Sequence, residues 1–359
     1  MRKRIVFTLL SLLLSLICSA AIAELTLRYY KINATWMEIN SGSYGSPYRM
    51  KLSEPWVFDS GKNWKSSFKQ SEFNIPFQTN AEGVRDISHP IENPANELRI
   101  VALGDSFTMG QGAALEDTWP KVLEGLLEDK YGKERVRVLL GGVAGSDPVF
   151  AYQLFKRRLM KYKPHIVLLQ INDSDVNDIN ARGGTGRFTS SGHLKNNRGP
   201  SYEWLWEASY LFRLFMIEVM DCNSSLLVSN DEFERRNKEA VVLLKECIED
   251  FVELAKKKEF QFMLINHPYS YHLEHSNPAI MTSSLLKDLD DEDVPSFDLY
   301  PTLEEIIERE GASRIEDYYW PLDAHFKPLG YELLAQGVFA EIEKIKLVQK
   351  SSWSSELVE

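Results

Sequence analysis

From about residue 98 onward, the chain alternates short, continuously apolar segments with longer segments of helical periodicity. The apolar segments are residues 99–103, 135–140, 165–170 and 260–265, and the helical patterns cover residues 118–130, 149–160, 231–258 and 329–347. Continuously apolar strands are typical of strands buried on both faces, and strands separated by helices pair in parallel. We therefore predict an α/β fold with a central parallel sheet covered by helices on both faces.

Polar residues suited to catalysis follow three of the predicted strands and precede the last helix. Ser106 comes after the first strand, Gly145 lies in the glycine-rich loop after the second, and Asn172 follows the third. Asp323 and His325 stand just before the closing helix. Because ligands of open parallel sheets bind beyond the carboxyl ends of the strands, we expect these residues to meet at one edge.

The chemistry of these residues matches nucleophilic catalysis. A serine at a strand-to-helix turn can present its hydroxyl to a substrate, and Gly104 permits the tight turn before Ser106. A histidine can act as a general base when a carboxylate, here Asp323, orients its ring. Taken singly, Gly-Asp-Ser is good turn and N-cap chemistry, and Asp-x-His is ordinary at a surface. The combination favours a catalytic site.

In this order, the four blocks resemble those of the SGNH (GDSL-type) hydrolases. The matching residues are Ser106 in Gly-Asp-Ser, Gly145, Asn172 in Asn-Asp, and His325. Residues 79–86 and 99–119 also look like the lead-in of membrane-anchored bacterial members, so that the resemblance covers roughly residues 75–345. It implies a flavodoxin-like three-layer α/β/α sandwich and the hydrolysis or transfer of acyl esters.

The resemblance also implies a role for each matched residue. Ser106 would be the nucleophile, His325 its general base, and Asp323 the carboxylate that orients the imidazole. The oxyanion would be held by the backbone N–H groups of Ser106 and Gly145 and by the side-chain amide of Asn172.

Two features depart from the family pattern. The family often has an asparagine five residues before the oxyanion glycine, where this chain has Leu140. Many members space acid and base as Asp-x-x-His, whereas this chain has Asp323-x-His325. Asp323 is the predicted acid, and Asp317 is the alternative.

The amino terminus predicts export. Arg2-Lys3-Arg4 precedes nineteen uncharged residues, Ile5 to Ala23. At about 1.5 Å per residue this segment nearly spans a hydrocarbon core of about 30 Å. Residues 21–23 have the small-residue pattern of a cleavage site, but the apolar run continues to Leu27 and favours an uncleaved signal-anchor with the body outside. Secretion or periplasmic release after cleavage is the alternative.

The expected domain organisation follows from these segments. Residues 1–28 form the signal-anchor or signal peptide, and residues 29–97 an extracytoplasmic lead-in of loops and short strands packed on the main domain. Residues 98–348 form the SGNH hydrolase-like domain, and residues 349–359 a tail. In an oxidising compartment, Cys222 and Cys247 either form one bridge or remain two separate buried thiols.

The charge balance excludes some partners. The chain has 52 acidic and 41 basic residues and no basic stripe with interleaved aromatics, which argues against nucleic-acid binding. The acidic residues 173–178 suggest calcium, but Asp178 stands where an EF-hand loop needs glycine. His267, His272 and His275 lack matching Cys or carboxylate ligands for zinc. We therefore expect neither a metal nor a cofactor.

The sequence predicts a serine esterase that cleaves short-chain or acetyl esters of an exported or envelope carbohydrate or lipid, with membrane contact through the amino-terminal segment. An O-acyltransferase acting on envelope or exported polysaccharide would use the same residues, and a non-catalytic glycan-binding scaffold would keep the fold. Four aromatic residues after the third strand are either a sugar-stacking surface or core, namely Tyr202, Trp204, Trp206 and Tyr210. The sequence does not predict an oligomeric state.

Overall fold

The structure is a computed structural model that describes residues 2–34, 65–70, 72–189, 199–224, 226–274, 281–290 and 294–356. The chain forms two compact units. The first comprises the described residues of Met1–Met50 and Asn197–Arg236, and the second those of Lys51–Asn196 and Asn237–Glu359. The predicted domain boundaries after residues 28, 97 and 348 stay predictions.

The strands and helices of the described residues are as follows. The strands are β1 (Lys65–Lys69), β2 (Asn74–Gln78), β3 (Leu98–Gly104), β4 (Val136–Gly142), β5 (Ile166–Ile171), β6 (Cys222–Asn223), β7 (Val228–Ser229), β8 (Gln261–Asn266) and β9 (Ser296–Asp298). The α-helices are α1 (Arg2–Tyr29), α2 (Ser106–Met109), α3 (Trp119–Tyr131), α4 (Pro148–Leu154), α5 (Asp173–Arg182), α6 (Glu203–Ala208), α7 (Tyr210–Glu218), α8 (Asn230–Lys258), α9 (Ser270–Glu274), α10 (Met281–Asp290), α11 (Tyr300–Glu310), α12 (Ile315–Tyr318), α13 (Pro328–Lys344), α14 (Leu347–Lys350) and α15 (Ser352–Glu356).

The second unit is built on a five-stranded sheet in the order β4-β3-β5-β8-β9. Each neighbouring pair is parallel. Numbered by their appearance in the sheet, the strands follow the order 2-1-3-4-5, which is that of flavodoxin-like folds. The predicted flavodoxin-like parallel sheet is therefore confirmed, and its first four strands lie within two residues of the predicted segments.

Helices cover both faces of this sheet. Along β3, Ile100 packs into a core with α3, α11 and α13. The next residue, Val101, faces the opposite way and packs with α4, α8 and α10. Because successive side chains of a strand point to opposite faces, these two cores lie on opposite sides of the sheet. The predicted three-layer α/β/α sandwich is confirmed.

The helix predicted over residues 149–160 is shorter and less regular than its pattern. Its α-helical part, α4, ends at Leu154 and continues as a π-helical turn over Phe155–Leu159, followed by a 3-10 turn over Met160–Tyr162. Phe155 and Leu159 remain buried in the core. Burial of the apolar residues is therefore kept although the hydrogen-bond ladder changes.

The lead-in to the sheet is ordered by buried polar groups. Strands β1 and β2 form an antiparallel hairpin, and residues 79–97 follow as turns and irregular chain. Asn80 is buried, and its side-chain oxygen accepts the N–H groups of Glu82 and Val84 at 2.9 and 3.3 Å. Arg85 and Asp86 are also buried. The described part of this segment after residue 64 thus consists of two short strands and irregular chain.

The first unit contains α1, whose apolar side chains are exposed. Among the described residues, Lys3–Tyr29 is the one helix long and apolar enough to cross a membrane, with a mean hydropathy of 2.6 in its most apolar window. A cleavable signal sequence has the same length and apolar composition.

The aromatic residues after the third strand of the parallel sheet divide between core and surface. Trp206 and Tyr210 are buried, as expected of core residues, whereas Trp204 is 63% exposed.

The cysteines follow the second of the two alternatives. Cys222 in the first unit and Cys247 in the second are both free thiols, and both are buried. Burial raises the pKa of the Cys222 thiol, and it raises that of Cys247 well above its ordinary value. Both groups are therefore neutral thiols at neutral pH.

Candidate active site

Ser106 is presented by a tight turn between β3 and α2. Gly104, at the end of β3, has a φ of +152°, and a Cβ built on it would lie 2.3 Å from Thr108 Oγ1. Glycine is therefore required there. Asp105 caps the short helix, since its Oδ1 accepts the N–H of Phe107 at 2.8 Å. Ser106 is half-buried at the carboxyl edge of the sheet.

His325 and Asp323 meet Ser106 from the loop before α13. Ser106 Oγ lies 2.7 Å from His325 Nε2, and His325 Nδ1 lies 2.6 Å from Asp323 Oδ1. Asp323 is buried, and His325 remains partly exposed. The structure thus brings together three residues that are up to 219 positions apart in the chain.

The short Asp-x-His spacing is made possible by the residue between the two. Ala324 has a φ of +65°, in the left-handed region that non-glycine residues seldom adopt. The turn is closed by the Trp320 N–H, which donates to His325 O at 2.8 Å, and by the Ala324 N–H, which donates to Trp320 O at 2.8 Å. This turn lets Asp323 reach His325 Nδ1. Asp317, the alternative acid, instead pairs with Arg314.

Two residues that the sequence did not single out hold Asp323. Gln111 Nε2 donates to both carboxylate oxygens, at 3.2 and 3.0 Å. The Glu72 carboxylate accepts the backbone N–H groups of Leu322 and Asp323 at 2.9 and 2.8 Å. The carboxylate and its backbone are therefore fixed separately, one from the serine turn and the other from the loop between β1 and β2.

Aromatic rings support the imidazole of His325. The Phe107 ring lies 4.5 Å from that of His325, with an interplanar angle of 30°, and 4.1 Å from that of His267. His267 is fully buried, and its Nδ1 bonds the carbonyl of Pro268 at 3.0 Å. Burial lowers the pKa of His267 to about 3, so that this ring is neutral at neutral pH.

The predicted oxyanion residues lie on loops tied to the serine turn. Asn172 Nδ2 donates to Asp105 Oδ2 at 2.9 Å. Gly145 has a φ of +66°, and its loop is joined to the turn because the Val143 N–H and the Ser146 hydroxyl both donate to Gly104 O, at 3.0 and 3.2 Å. The carboxyl ends of β3, β4 and β5 therefore bring these loops together.

Buried carboxylates stabilise the same loops. Asp147, two residues after Gly145, pairs with Arg187 through two bonds of 2.6 and 2.7 Å and caps α4 at Phe150 N. Burial alone would raise the pKa of Asp147, but Arg187 lowers it below its usual value. Burial raises the pKa of Asp105, and it raises that of Asp175 well above its usual range.

Arg85 in the lead-in binds the chain after Ser106, a contact that the sequence did not predict. Arg85 donates to the carbonyls of Met109, Gly110 and Ala113 at 3.1, 2.7 and 2.8 Å, at and just after the end of α2. A charged donor thus satisfies carbonyls that a helix end leaves open. In the sequence, residues 79–86 lie shortly before the serine block, but the sequence did not predict a contact between the two.

Leu140, where the sequence departs from the family pattern, is tied to the same lead-in. Its N–H donates to Asp86 Oδ2 at 2.9 Å, and that carboxylate also contacts His89 at 2.8 Å and Lys121 at 3.0 Å. Burial alone would raise the pKa of Asp86, but these partners lower it. A backbone contact therefore anchors this strand to the lead-in.

The described residues contain no group of three or more His, Cys, Asp or Glu side chains placed to hold a metal ion. His272 contacts Asp173 at 3.3 Å, while His267 is packed against Phe107. His275 lies outside the described residues.

A scan of protein-family models and a search of the curated proteins find no match. Among solved structures, the chain is similar to Axe2, an acetylxylan esterase from Geobacillus stearothermophilus, at 15% identity over 68% of this chain and 93% of that one, with a TM-score of 0.43. The acetyl xylan esterase AlAXEase matches at 13% identity over 68% and 99%, with a TM-score of 0.45.

A two-domain esterase (CEX) active on acetylated mannans matches at 14% identity over 72% of this chain, with a TM-score of 0.43. The match spans 52% of that esterase, about half its length. The sheet order and the two cores of this chain define its fold. Acetylated xylan and mannan are the substrates of the similar proteins.

Proposed function

We propose that this protein is a serine esterase of the SGNH type that cleaves acyl esters through an acyl-serine intermediate. One observation carries the proposal, namely the unbroken series of contacts from Ser106 Oγ to His325 Nε2 at 2.7 Å and from His325 Nδ1 to Asp323 Oδ1 at 2.6 Å. A serine, a histidine and a carboxylate in this geometry form the catalytic triad of serine hydrolases.

The mechanism follows from the proton positions that this geometry favours. Asp323 accepts the Nδ1–H of His325, which leaves Nε2 with a lone pair for the Ser106 proton. As Nε2 takes that proton, Oγ attacks the ester carbonyl carbon and its π electrons move to the oxygen. His325 then returns the proton to the leaving alcohol, and the acyl group stays on Ser106. Water, activated by His325, releases the acid and restores the serine.

In this proposal the developing oxyanion is stabilised by three donors. These are the backbone N–H groups of Ser106 and Gly145 and the side-chain amide of Asn172. The Asn172 amide gives one hydrogen to Asp105, which fixes its orientation and leaves its second hydrogen for the oxyanion. Each such donor lowers a barrier by about 2.7–4 kcal/mol in comparable sites.

A carbohydrate ester is the substrate that best fits the residues near the site. Tyr271 is 50% exposed, and its ring stacks on that of Tyr269 at 5.7 Å. Tyr269 in turn contacts Phe107, the neighbour of Ser106, at 5.3 Å. An exposed tyrosine ring offers a flat surface for a sugar. We therefore propose short acyl esters, acetyl above all, on a glycan.

Outward location is part of the proposal. The helix α1 begins with Arg2, Lys3 and Arg4 and continues as a mostly exposed apolar helix. Basic residues before a span hold its start in the cytoplasm. We propose that α1 is an uncleaved anchor with the catalytic unit outside the cytoplasm.

Turnover of nitrophenyl acetate tests the nucleophile. Ser106→Ala should abolish nitrophenol release while the thermal midpoint stays nearly unchanged, because the half-buried hydroxyl contributes little to packing. Ser354→Ala, in the carboxyl-terminal helix α15, is the matched control and should retain full activity. Retained turnover in Ser106→Ala would refute the assignment.

Rates of acetate release from a panel of acetylated glycans and lipids test the substrate class, and a variant of Tyr271 tests its role in binding a glycan. Tyr271→Ala should raise KM for an acetylated oligosaccharide and leave kcat/KM for nitrophenyl acetate unchanged, since only the glycan reaches the exposed ring. Equal losses on both substrates would contradict the stacking role. Acetyl transfer to an added glycan in place of acetate release would identify a transferase that uses the same three residues.

A further inference from the structure

In the first unit, α7 begins against the carboxyl-terminal end of α1. The Glu24 carboxylate of α1 accepts the N–H groups of Tyr210 and Leu211 at 3.0 and 2.8 Å and the hydroxyl of Ser209 at 2.8 Å. Backbone N–H groups in the first turn of a helix have no intrahelical partner, and a carboxylate stabilises them. Glu24 thus caps α7 from another helix.

A second contact reinforces this junction. Arg28, one turn after Glu24, bonds that carboxylate at 2.6 Å and donates to the carbonyl of Ala208. Its guanidinium also lies 5.1 Å from the centre of the Tyr210 ring. The start of α7 is therefore joined to α1 by hydrogen bonds, an ion pair and a cation–π contact.

Large apolar side chains of this region face solvent. Phe215 in the last turn of α7, and Val219 and Met220 just after that helix, are 46%, 67% and 53% exposed. Trp204 on α6 is 63% exposed. These four residues are called the α7 patch. Beside it, Leu211 and Leu214 line a shallow groove together with Phe215, Val219 and the terminal Glu218.

The charged residues of α7 do not oppose an apolar environment for the patch. Arg213 is fully buried, donates to the carbonyl of Trp206 at 2.6 Å and lies over the Tyr210 ring at 4.5 Å. Glu218 is exposed but is the last residue of the helix. Because Arg213 is buried and Glu218 stands at the end of the helix, α7 can place its apolar side in a membrane surface while Glu218 stays in water.

The residues around the junction suit the same environment. Tyr29 and Tyr30, at the end of α1, are 81% and 68% exposed. Tyrosine and tryptophan concentrate where the hydrocarbon core meets the headgroups, and Trp204 belongs to the same unit. Removing large apolar side chains from water is favourable, so that insertion of the α7 patch into lipid would strengthen membrane binding.

We propose that α7 lies in the membrane–water interface, with the α7 patch in the lipid beside the point where α1 leaves the bilayer. The occupant of this surface is a phospholipid bilayer, because the helix that caps α7 is the one described helix apolar and long enough to span one. Contact through α7 adds a second membrane attachment to the anchor. This inference rests on the proposed anchoring of α1 and does not depend on the esterase activity.

Fluorescence quenching by brominated lipids tests this proposal on the full chain. An environment-sensitive fluorophore is attached to Cys18 in α1 of the wild type, or to Phe215→Cys in a Cys18→Ser background. Cys222 and Cys247 are buried, and the Cys18→Ser chain alone reports any residual labelling of them. The control label is carried by Asp231→Cys in the same Cys18→Ser background, at an exposed charged position of the same unit. Each protein is reconstituted in phosphatidylcholine–phosphatidylglycerol vesicles with and without brominated acyl chains.

The proposal predicts that brominated lipid lowers the emission of the labels at positions 18 and 215 by roughly twofold or more, and that of the label at position 231 little. Quenching at position 18 without quenching at position 215 would overturn it and leave α1 as a simple anchor. Absence of quenching at both would overturn it as well, since α1 must be inserted. So would a label at position 215 that is shielded from aqueous iodide yet not quenched by brominated lipid, because protein would then cover the patch.

Discussion

The serine turn, residues 104–111, and the histidine loop, residues 320–327, hold their catalytic candidates in different ways. The serine turn lies at the end of a central strand, and the buried Arg85 binds three of the carbonyls at or just beyond it. The histidine loop is closed by its own backbone bonds and bound by the side chains of Glu72 and Gln111. A buried cation therefore holds the serine turn, whereas side-chain hydrogen bonds to Asp323 and the packing of His325 on Phe107 hold the acid and the base.

This difference makes separate predictions for the two regions. Changes to the buried groups that support the serine turn, as distinct from Ser106 itself, should lower stability and activity together, because these groups support both. Changes to the polar side chains of Asp323 and His325 should lower activity with little loss of stability. The expected effects below run from the largest to the smallest.

Asp323→Asn should lower kcat/KM for nitrophenyl acetate by about 10⁴-fold, because an amide no longer holds His325 in the tautomer that accepts the serine proton. The thermal midpoint should change little. Asp317→Asn is the matched control, since Asp317 pairs with Arg314 on the surface, and it should leave turnover unchanged. A large loss of kcat/KM in Asp317→Asn and a small one in Asp323→Asn would identify Asp317 as the catalytic carboxylate instead of Asp323.

Arg85→Met should lower the free energy of unfolding by about 3 kcal/mol and reduce activity in parallel. The variant leaves three buried carbonyls without a charged donor, which destabilises the folded chain. It also removes the cost of burying a cation, which offsets part of this loss. Arg309→Met, at an exposed position on α11, should change stability by less than about 0.5 kcal/mol. Urea unfolding measures both. Loss of activity without loss of stability would contradict the comparison.

His267→Gln should make the free energy of unfolding decrease less steeply as the pH is lowered. Burial lowers the pKa of His267 from 6.5 to about 3, so the unfolded chain binds a proton that the folded chain refuses. The stability that this neutral ring confers is present above pH 6.5 and is lost as the pH falls toward 3. Unfolding free energies at pH 7, 6, 5 and 4 should therefore decline less steeply in the variant. An unchanged slope would show that other groups govern the acid response.

Ala324→Val should destabilise the histidine loop by about 1–2 kcal/mol, because a β-branched residue is poorly accommodated at a φ of +65°. Ala324→Gly should change the unfolding free energy by less than about 1 kcal/mol, since glycine adopts this conformation readily. Thermal unfolding and turnover of the two variants measure the contrast. Equal behaviour of valine and glycine would contradict the role of the turn.

The sequence predicted the sheet well because its central strands are continuously apolar. The segment 99–103 lies inside β3, and 165–170 differs from β5 by one residue at each end. Strand β9, only Ser296–Asp298, was not predicted, because three half-buried edge residues carry no apolar run. The π-helical turn at Phe155–Leu159 also lacked a signal, since the apolar spacing there fits a helix equally well.

For the site, the sequence predicted which loops would meet, because the strand ends of a parallel sheet share one edge. It did not predict the residues that support them. Glu72 and Gln111 act on Asp323 across about 250 and 212 positions, and such contacts depend on tertiary packing alone. Their residue types are ordinary in loops. The catalytic roles of Ser106, His325 and Asp323 stay predictions.

Covalent capture of the nucleophile tests the central claim most directly. Intact-mass analysis after treatment with a fluorophosphonate should find one adduct on the wild-type chain, located on Ser106 by peptide mapping, and none on Ser106→Ala. The rate of labelling should fall sharply in His325→Ala, because the histidine generates the attacking oxygen. An unlabelled wild-type chain, or an adduct that persists in Ser106→Ala, would contradict the account.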